Sequence, residues 1–202
     1  MFIELAELLR CPAEHEDTYC VLSSDETEGR RVISGTIGCP VCRAEYPVED
    51  GVVQFGPDPL LGRNSRSDDI TVEDTPDPEV MQALLSLEIG AGYVALVGSV
   101  TRLSDPLAKL TSQIQFVGVN PPPDVRESTE LSLLRSPGAI PLRSGTARGI
   151  VLGQEYVGEP WLAEAGRVLM SGQRMVVVGE AVSMDGVSQL AADGGLWVGV
   201  KD

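Results

Sequence analysis

The stretch Leu85-Ser86-Leu87-Glu88-Ile89-Gly90-Ala91-Gly92-Tyr93 decides how the larger part of this sequence is interpreted. A short apolar run ends in Glu88, and Gly90-Ala91-Gly92 follows. This pattern predicts a buried strand over 86–89, a loop tight enough for a ligand to touch the backbone, and a helix over 93–103. Because glycines also mark ordinary turns, the interpretation depends on whether further strands follow at regular intervals.

Apolar segments do follow at regular intervals along the rest of the chain. We predict strands over 114–119, 139–142, 149–152, 174–178 and 196–200, and helices over 78–84, 160–169 and 187–192. Apolar strands that alternate with helices are typical of a parallel sheet covered on both faces. The predicted fold class is therefore α/β, with a Rossmann-like, mostly parallel sheet and helices on both of its faces.

The order of these segments resembles the class I S-adenosylmethionine-dependent methyltransferases over roughly residues 78–200. The matching pieces are LEIGAG from Leu87, FVGVN from Phe116, IPLRSGTARGIVL from Ile140 and WLAEAGRVLMSGQRMVVVG from Trp161. The resemblance implies a cofactor site for S-adenosylmethionine in a domain over 78–202. Residue by residue, it puts Glu88, Gly90 and Gly92 in the loop under the cofactor and Asn120 beside the ribose hydroxyls.

Three positions depart from that family pattern. Val94 stands where the family has a further glycine, Asn120 replaces an acid, and Ala147-Arg148 replaces an aromatic-Asp pair. A branched side chain at position 94 fills space needed for close packing of loop and cofactor. The amide of Asn120 is a weaker acceptor for hydroxyl groups than a carboxylate. These departures favour a domain that has lost catalysis or nearly lost it.

No catalytic residue can be assigned from the sequence. Methyl transfer from a sulfonium needs positioning, and it needs a base only when the nucleophile is protonated. Glu155 and Tyr156, just past the predicted strand over 149–152, are the well-placed candidates for a base, but a polar loop at a strand end is the favoured explanation of these residues. We interpret Asn120-Pro121-Pro122-Pro123 as a rigid turn.

All four cysteines, Cys11, Cys20, Cys39 and Cys42, lie near the start of the chain. Cys39-Pro40-Val41-Cys42 is a compact knuckle, and Cys11 with Cys20 forms a second, wider arm. This spacing predicts a tetrahedral thiolate site for zinc, which would also stabilise a segment too small to fold alone. His15, the only histidine, could replace Cys20 as a ligand. Two disulfides and a redox Cys-x-x-Cys remain alternatives.

The residues around these cysteines show a second resemblance, over about residues 5–55. LLRCP from Leu8 and GCPVCRAEYPVEDGVVQF from Gly38 resemble the small zinc-ribbon proteins that act as activator subunits of tRNA, rRNA and protein methyltransferases. The resemblance implies a zinc-ribbon domain over 1–55 that acts as a binding module for a catalytic partner and does no chemistry itself. The wide arm between Cys11 and Cys20 departs from the tighter pair of that family.

Composition bounds the remaining possibilities. The net charge is −15, and residues 1–79 hold 18 acidic against 6 basic residues, which is −12 of the total. Such a surface repels phosphate backbones, so direct nucleic-acid binding is not expected, whereas either solubility or docking of a basic partner explains the excess of acidic residues.

No apolar stretch has the length of a membrane span, and Glu4 and Glu7 argue against a secretion signal, so we expect a cytoplasmic protein. Residues 56–77, rich in proline, glycine, serine and acids, are predicted to be a linker.

These observations leave three functional hypotheses. The first is a zinc-binding, methyltransferase-like protein, non-catalytic or weakly active, that serves as a binding, scaffolding or regulatory partner of another protein. The second is an active S-adenosylmethionine-dependent methyltransferase whose acceptor is small or presented by a partner. The third, a dinucleotide-binding protein, lacks the required Gly-x-Gly-x-x-Gly because Ala95 takes the place of the last glycine. We favour the first.

Overall fold

The computed structural model describes residues 1–57 and 76–202, so most of the predicted linker over 56–77 lies outside the described residues. The strands are β1 (Val21–Glu28), β2 (Arg31–Gly38), β3 (Glu45–Glu49), β4 (Val52–Gln54), β5 (Gly92–Val97), β6 (Ile114–Val119), β7 (Leu131–Arg135), β8 (Ala147–Leu152), β9 (Leu169–Val178), β10 (Val187–Asp193) and β11 (Leu196–Lys201). The α-helices are α1 (Pro78–Leu85), α2 (Ser104–Leu110) and α3 (Trp161–Val168). Short 3₁₀ helices cover Ile3–Leu8, Gly98–Leu103 and Gln154–Tyr156.

All these strands belong to one 11-stranded sheet with the order β1-β2-β3-β4-β7-β6-β5-β8-β9-β11-β10. The strands from β4 through β9 in that order pair in parallel, and the pairs at both ends of the sheet are antiparallel. The strand order reverses between β5 and β8. This is the doubly wound, Rossmann-like arrangement, so the predicted α/β fold class is confirmed.

Helices cover both faces of the parallel part, as the sequence predicts. Successive side chains of a strand point to opposite faces, and in β5 Ala95 and Val97 pack into one buried cluster while Val94 and Leu96 pack into the other. The first cluster is covered by α3 and the second by α1 and α2. Val94, expected to obstruct a cofactor loop, is instead a core residue of this central strand.

The amino-terminal segment joins the same sheet and the same core. Val53 of β4 pairs with Leu134 of β7, and both are fully buried in one cluster. Glu127, in the loop before β7, accepts a hydrogen bond from Arg31 of β2 at 2.6 Å. Its carboxylate also lies 2.6 Å from the Met1 ammonium group. The division into domains over 1–55 and 78–202 stays a prediction, and the two segments are joined by strand pairing, packing and ion pairs.

The strand predicted over 86–89 and the helix predicted over 93–103 are wrong. Residues 86–91 are a loop, β5 begins at Gly92, and the chain turns into a 3₁₀ helix only at Gly98. The physical reason is the composition of the run from Tyr93 to Val97, which is aromatic and β-branched and pairs in parallel with both β6 and β8. The spacing of apolar residues in so short a run fits both a helix and a strand, so spacing alone does not distinguish the two.

Two further elements differ from the sequence-based prediction. The strand that follows β6 in the chain is β7, and the strand predicted over 139–142 is wrong. Residues 139–142 form a loop in which Leu142 makes one isolated bridge to Leu9. The predicted helix over 187–192 is strand β10, because Asp193-Gly194-Gly195 closes a hairpin with β11. An Asp-Gly pair between two apolar runs is a hairpin signal, and it outweighs the weak helical spacing.

The other predicted elements are confirmed within a few residues. β6 has the predicted bounds, and β8, α3 and β11 overlap their predicted ranges closely, while β9 begins earlier than predicted, at Leu169. The start of α1 is fixed by Asp77, whose carboxylate accepts hydrogen bonds from the backbone amides of Glu79 at 2.8 Å and Val80 at 3.3 Å. Among the residues described, none of the helices has the length and apolar character that a bilayer crossing requires.

Candidate functional site

A cluster of sulfur and nitrogen ligands forms beside the start of β1. Cys11, His15, Cys39 and Cys42 each offer one ligand atom, and all these atoms lie within 4.8 Å of one another. The sulfurs of Cys11 and Cys42 are 3.7 Å apart, and Nε2 of His15 is 3.3 Å from the sulfur of Cys39. Zinc–sulfur bonds of about 2.3 Å in a tetrahedron give sulfur–sulfur distances of roughly 3.8 Å, so the cluster has the dimensions of a zinc site.

Hydrogen bonds around the cluster prepare its ligands for a metal. Nδ1 of His15 lies 2.7 Å from the carbonyl oxygen of Glu16, and donation to this oxygen leaves the lone pair on Nε2. Burial disfavours the thiolate of Cys39, but the backbone amides of Cys42 and Val41 donate to its sulfur and bring its pKa down to about 7. The hydroxyl of Tyr46 lies 3.0 Å from the sulfur of Cys11.

The cluster differs in one member from the predicted ligand set of Cys11, Cys20, Cys39 and Cys42, which stays a prediction. It contains Cys11, Cys39 and Cys42, and its fourth ligand atom is that of His15. The turn after Pro12 brings His15 back to Cys11, whereas Cys20 lies at the entry to β1 with its side chain only 6% exposed. Burial is the main cause that raises the pKa of Cys20 to about 12, and the nearby thiols of Cys11, Cys39 and Cys42 act in the same direction.

A second site is expected where the strand order reverses. In doubly wound sheets, ligands bind in the crevice outside the carboxyl ends of the strands at this point, here the ends of β5 and β8. We call this the switch-point crevice, bounded by Gly98-Ser99 after β5 and by residues 153–156 after β8. The sequence signal for it is Val97-Gly98-Ser99, a glycine directly after an apolar run, which our sequence analysis missed.

The switch-point crevice contains side chains of the protein itself. The carboxylate of Glu155 accepts a short hydrogen bond from the backbone amide of Ser99 and a second, of 3.1 Å, from its hydroxyl. The Tyr156 ring lies so close to Gly98 that a Cβ there would be 2.6 Å from it. Tyr156 is buried and packs edge-on against Trp161, with ring centroids 4.7 Å apart. The two residues considered as a base therefore close the crevice.

Asn120 follows β6 at the carboxyl edge of the sheet, as the resemblance implies, but its side chain is already engaged. It is 3% exposed, donates to the carbonyl oxygen of Ser136 at 2.8 Å and accepts from the amide of Ser136 at 2.8 Å. These bonds tie the end of β6 to the chain just after β7. Binding of a ribose by this amide would require both bonds to break.

The predicted loop residues Glu88, Gly90 and Gly92 lie at the opposite edge of the sheet. Because β5 begins at Gly92, they precede the strand and do not follow it. Their part in a cofactor site stays a prediction. Arg148 instead holds this loop, donating to the carbonyl oxygen of Ile89 and, at 3.3 Å, to that of Ser86. The structure brings neither glycine near Asn120 or the switch-point crevice.

Comparisons with known proteins agree on the fold. No sequence-family model and no curated protein matches the chain. One chain of the solved complex between the Haloferax volcanii Trm112 methyltransferase activator and a candidate methyltransferase is 12% identical, with a TM-score of 0.51 over 71% of this chain and 96% of that one. A candidate S-adenosyl-L-methionine-dependent methyltransferase from Methanococcus maripaludis is 15% identical, with a TM-score of 0.49 over 67% of this chain and 88% of that one.

At such identities the likeness concerns the fold alone, which is the class I methyltransferase fold. The other resemblance, of residues 5–55 to the zinc-ribbon activator subunits of methyltransferases, stays a prediction. A cluster that could hold a metal lies in that segment and fits a small zinc domain.

Proposed function

We propose that this chain is a zinc-binding, methyltransferase-like protein, non-catalytic or weakly active, that works in the cytoplasm as a binding, scaffolding or regulatory partner of another protein. The observation that carries the proposal is the occupation of the switch-point crevice by Glu155. Its carboxylate is bonded to both the amide and the hydroxyl of Ser99.

Two polar side chains at the carboxyl edge, those of Glu155 and Asn120, support this proposal because they are hydrogen-bonded within the chain. Active sites keep titratable and polar groups poised for a ligand, with perturbed pKa values and unfilled hydrogen-bonding capacity. Here Glu155 bonds Ser99, and Asn120 bonds Ser136 on both of its amide atoms. The residues present therefore do not fit S-adenosylmethionine in the way the resemblance implies, and we derive no methyl-transfer step.

The metal cluster supports the other half of the proposal. Three cysteine sulfurs and one imidazole would together form a closed set of protein ligands, which is typical of structural zinc and would leave no open position for a substrate. When bound, zinc would fix the loop of Cys11 and His15 against the knuckle of Cys39 and Cys42. The segment would then be rigid enough to present a surface to a partner.

Titration of the full-length protein with S-adenosylmethionine tests the proposal. We expect no saturable heat in calorimetry and no bound nucleoside in native mass spectrometry below roughly millimolar ligand. In the variant Glu155→Ala the amide of Ser99 becomes free, so we expect binding to improve, whereas Glu159→Ala, an acid outside the crevice, should behave as the wild type. Tight, stoichiometric binding to the wild type would contradict the proposal and favour an active methyltransferase.

A further inference from the structure

Strand β1 forms one edge of the sheet, and its side chains are exposed. It is outermost in the strand order, pairs only with β2 among the described residues, and every one of its residues except Leu22 is exposed. An edge strand of this kind presents a row of open backbone N–H and C=O groups to which another strand can be added.

Apolar side chains are exposed at the start of β1. Tyr19 is 60% exposed, Val21 is 52% exposed, and Val41 at the tip of the cysteine knuckle is 42% exposed. Val21 pairs with Gly38, the residue directly before Cys39, so the start of β1 lies next to the cysteine cluster. Single exposed apolar residues are common, but three around one strand end form the centre of a contact surface.

Carboxylates follow along the second half of the same strand. Asp25, Glu26 and Glu28 are exposed and form no hydrogen bond or ion pair among the contacts of the described residues. The pairing of β1 with β2 is regular over 21–24, and its register shifts between Ser24 and Glu26 and again between Glu26 and Thr27. An added strand would therefore meet a regular backbone edge over 21–24 and carboxylate side chains beyond it. A strand carrying these charges repels a second copy of itself, because like charges opposite each other are destabilising.

The opposite edge of the sheet lacks this combination. In β10, Leu190 is 51% exposed, and the residues from Val187 to Ala192 carry no charge. The joint presence of an open edge, exposed apolar residues and unpaired carboxylates is therefore a property of β1.

We propose that β1 receives an extended, lysine- or arginine-rich segment of a protein partner as an added strand. The apolar residues of this segment would cover Tyr19 and Val21, and its basic side chains would lie beside Asp25, Glu26 and Glu28. The complementary charges favour this occupant over a neutral strand and over a second copy of the chain. The inference rests on the proposed role as a partner-binding protein and names the surface and the chemistry of that partner.

The test uses the full-length, zinc-loaded protein and a fluorescent octapeptide of alternating lysine and valine, with an octapeptide of alternating glutamate and valine as the comparison. Fluorescence anisotropy should show saturable binding of the lysine peptide only, weakening as salt is raised. Hydrogen exchange should show new protection of the amides over 21–24. Tyr19→Ser should weaken binding several-fold, and Leu190→Ser on the opposite edge should not.

Charge-reversal variants separate this surface from the overall charge of the protein. The test variant carries Asp25→Lys, Glu26→Lys and Glu28→Lys, and a control with the same change in net charge carries Glu180→Lys, Asp185→Lys and Asp193→Lys. We expect the test variant to bind the lysine peptide roughly tenfold more weakly or worse, since three attractions become repulsions. The control should retain most of the wild-type affinity.

Four results would overturn the inference: no saturable binding of the lysine peptide, equal losses in the two charge-reversed variants, new protection located away from β1, or sedimentation showing that β1 is covered by a second copy. None of these depends on the crevice. Binding of S-adenosylmethionine by the wild type would refute the non-catalytic role while leaving the peptide result standing, so the two failures are distinguishable.

Discussion

Replacing His15 with alanine should raise the dissociation constant for zinc about a hundredfold, whereas replacing Cys20 should leave it nearly unchanged. Structural zinc sites contribute about 10–16 kcal/mol through four ligands, which is roughly 3 kcal/mol for each, and every 1.4 kcal/mol is about tenfold in affinity. Nε2 of His15 lies 3.3 Å from the sulfur of Cys39 and belongs to the converging cluster. The sulfur of Cys20 does not belong to it.

Competition against a chromophoric chelator measures this difference directly, with the wild type, His15→Ala and Cys20→Ala compared at one pH. Substitution by Co²⁺ adds a second readout, because the sulfur-to-metal charge-transfer intensity reports the number of thiolate ligands. We expect Cys20→Ala to retain the wild-type intensity and Cys42→Ala to lose about a third of it, as one thiolate of three is removed.

The reasoning is refuted if Cys20→Ala loses the metal while His15→Ala retains it, because the site would then be the four-cysteine set first expected from the sequence. A circular dichroism spectrum of each metal-free variant provides the control. Cys20 is buried, so its removal leaves a small cavity that costs stability without touching the metal. Loss of folding and loss of a ligand are thereby separated.

Three further predictions concern hydrogen bonds and an ion pair within the fold. Asn120→Ala should lower the free energy of unfolding in urea by about 2–3 kcal/mol, because it strands a buried amide and carbonyl; a loss below the error of the measurement would contradict this. The Arg102 guanidinium holds the pKa of Asp124 below its usual range against the opposing effect of burial, so the pair stabilises the fold above that range and its contribution is lost as the pH falls through the lowered value. Asp124→Asn should therefore cost about 0.5 kcal/mol near neutral pH and nothing in strong acid, and a constant difference across a pH series would refute the pairing. Arg148→Ala should speed hydrogen exchange over residues 86–91, and unchanged exchange would show that its bonds to the loop contribute nothing.

Much of the fold could be predicted because each element carries several agreeing signals. The cap at Asp77 and the proline after it fix α1, and the continuous apolar run of β6 fixes a buried strand. The central strand β5 could not be placed in the same way. Its apolar run from Tyr93 to Val97 fits both the helical and the strand period of apolar residues. Because glycines precede this run, the strand was predicted before the glycines and the helix after them.

The proximity of three cysteines could be predicted from the sequence and the crevice could not. Cysteine spacing pointed to Cys11, Cys39 and Cys42, whose sulfurs lie close together in the fold, because a short chelating loop is a local feature of the chain. That they bind zinc stays a prediction. The choice between His15 and Cys20 depends on the turn after Pro12, which spacing does not determine. The contact between Glu155 and Ser99 is non-local, since it arises only when the parallel pairing of β5 and β8 brings the two strand ends together.

The satisfied bonds at the carboxyl edge determine how strongly the fold can still hold a nucleoside ligand. A ligand that takes the place of Glu155 must first break its bonds to Ser99, and a hydrogen bond to a charged group contributes about 1.5–3 kcal/mol. Releasing Asn120 from Ser136 requires a further neutral pair of bonds, roughly 2 kcal/mol in all. Together these costs weaken binding several-hundredfold or more, so a ligand of micromolar intrinsic affinity would bind at roughly millimolar concentration. The bonds that keep the edge of this sheet ordered therefore oppose any ligand that must displace Glu155 and Asn120.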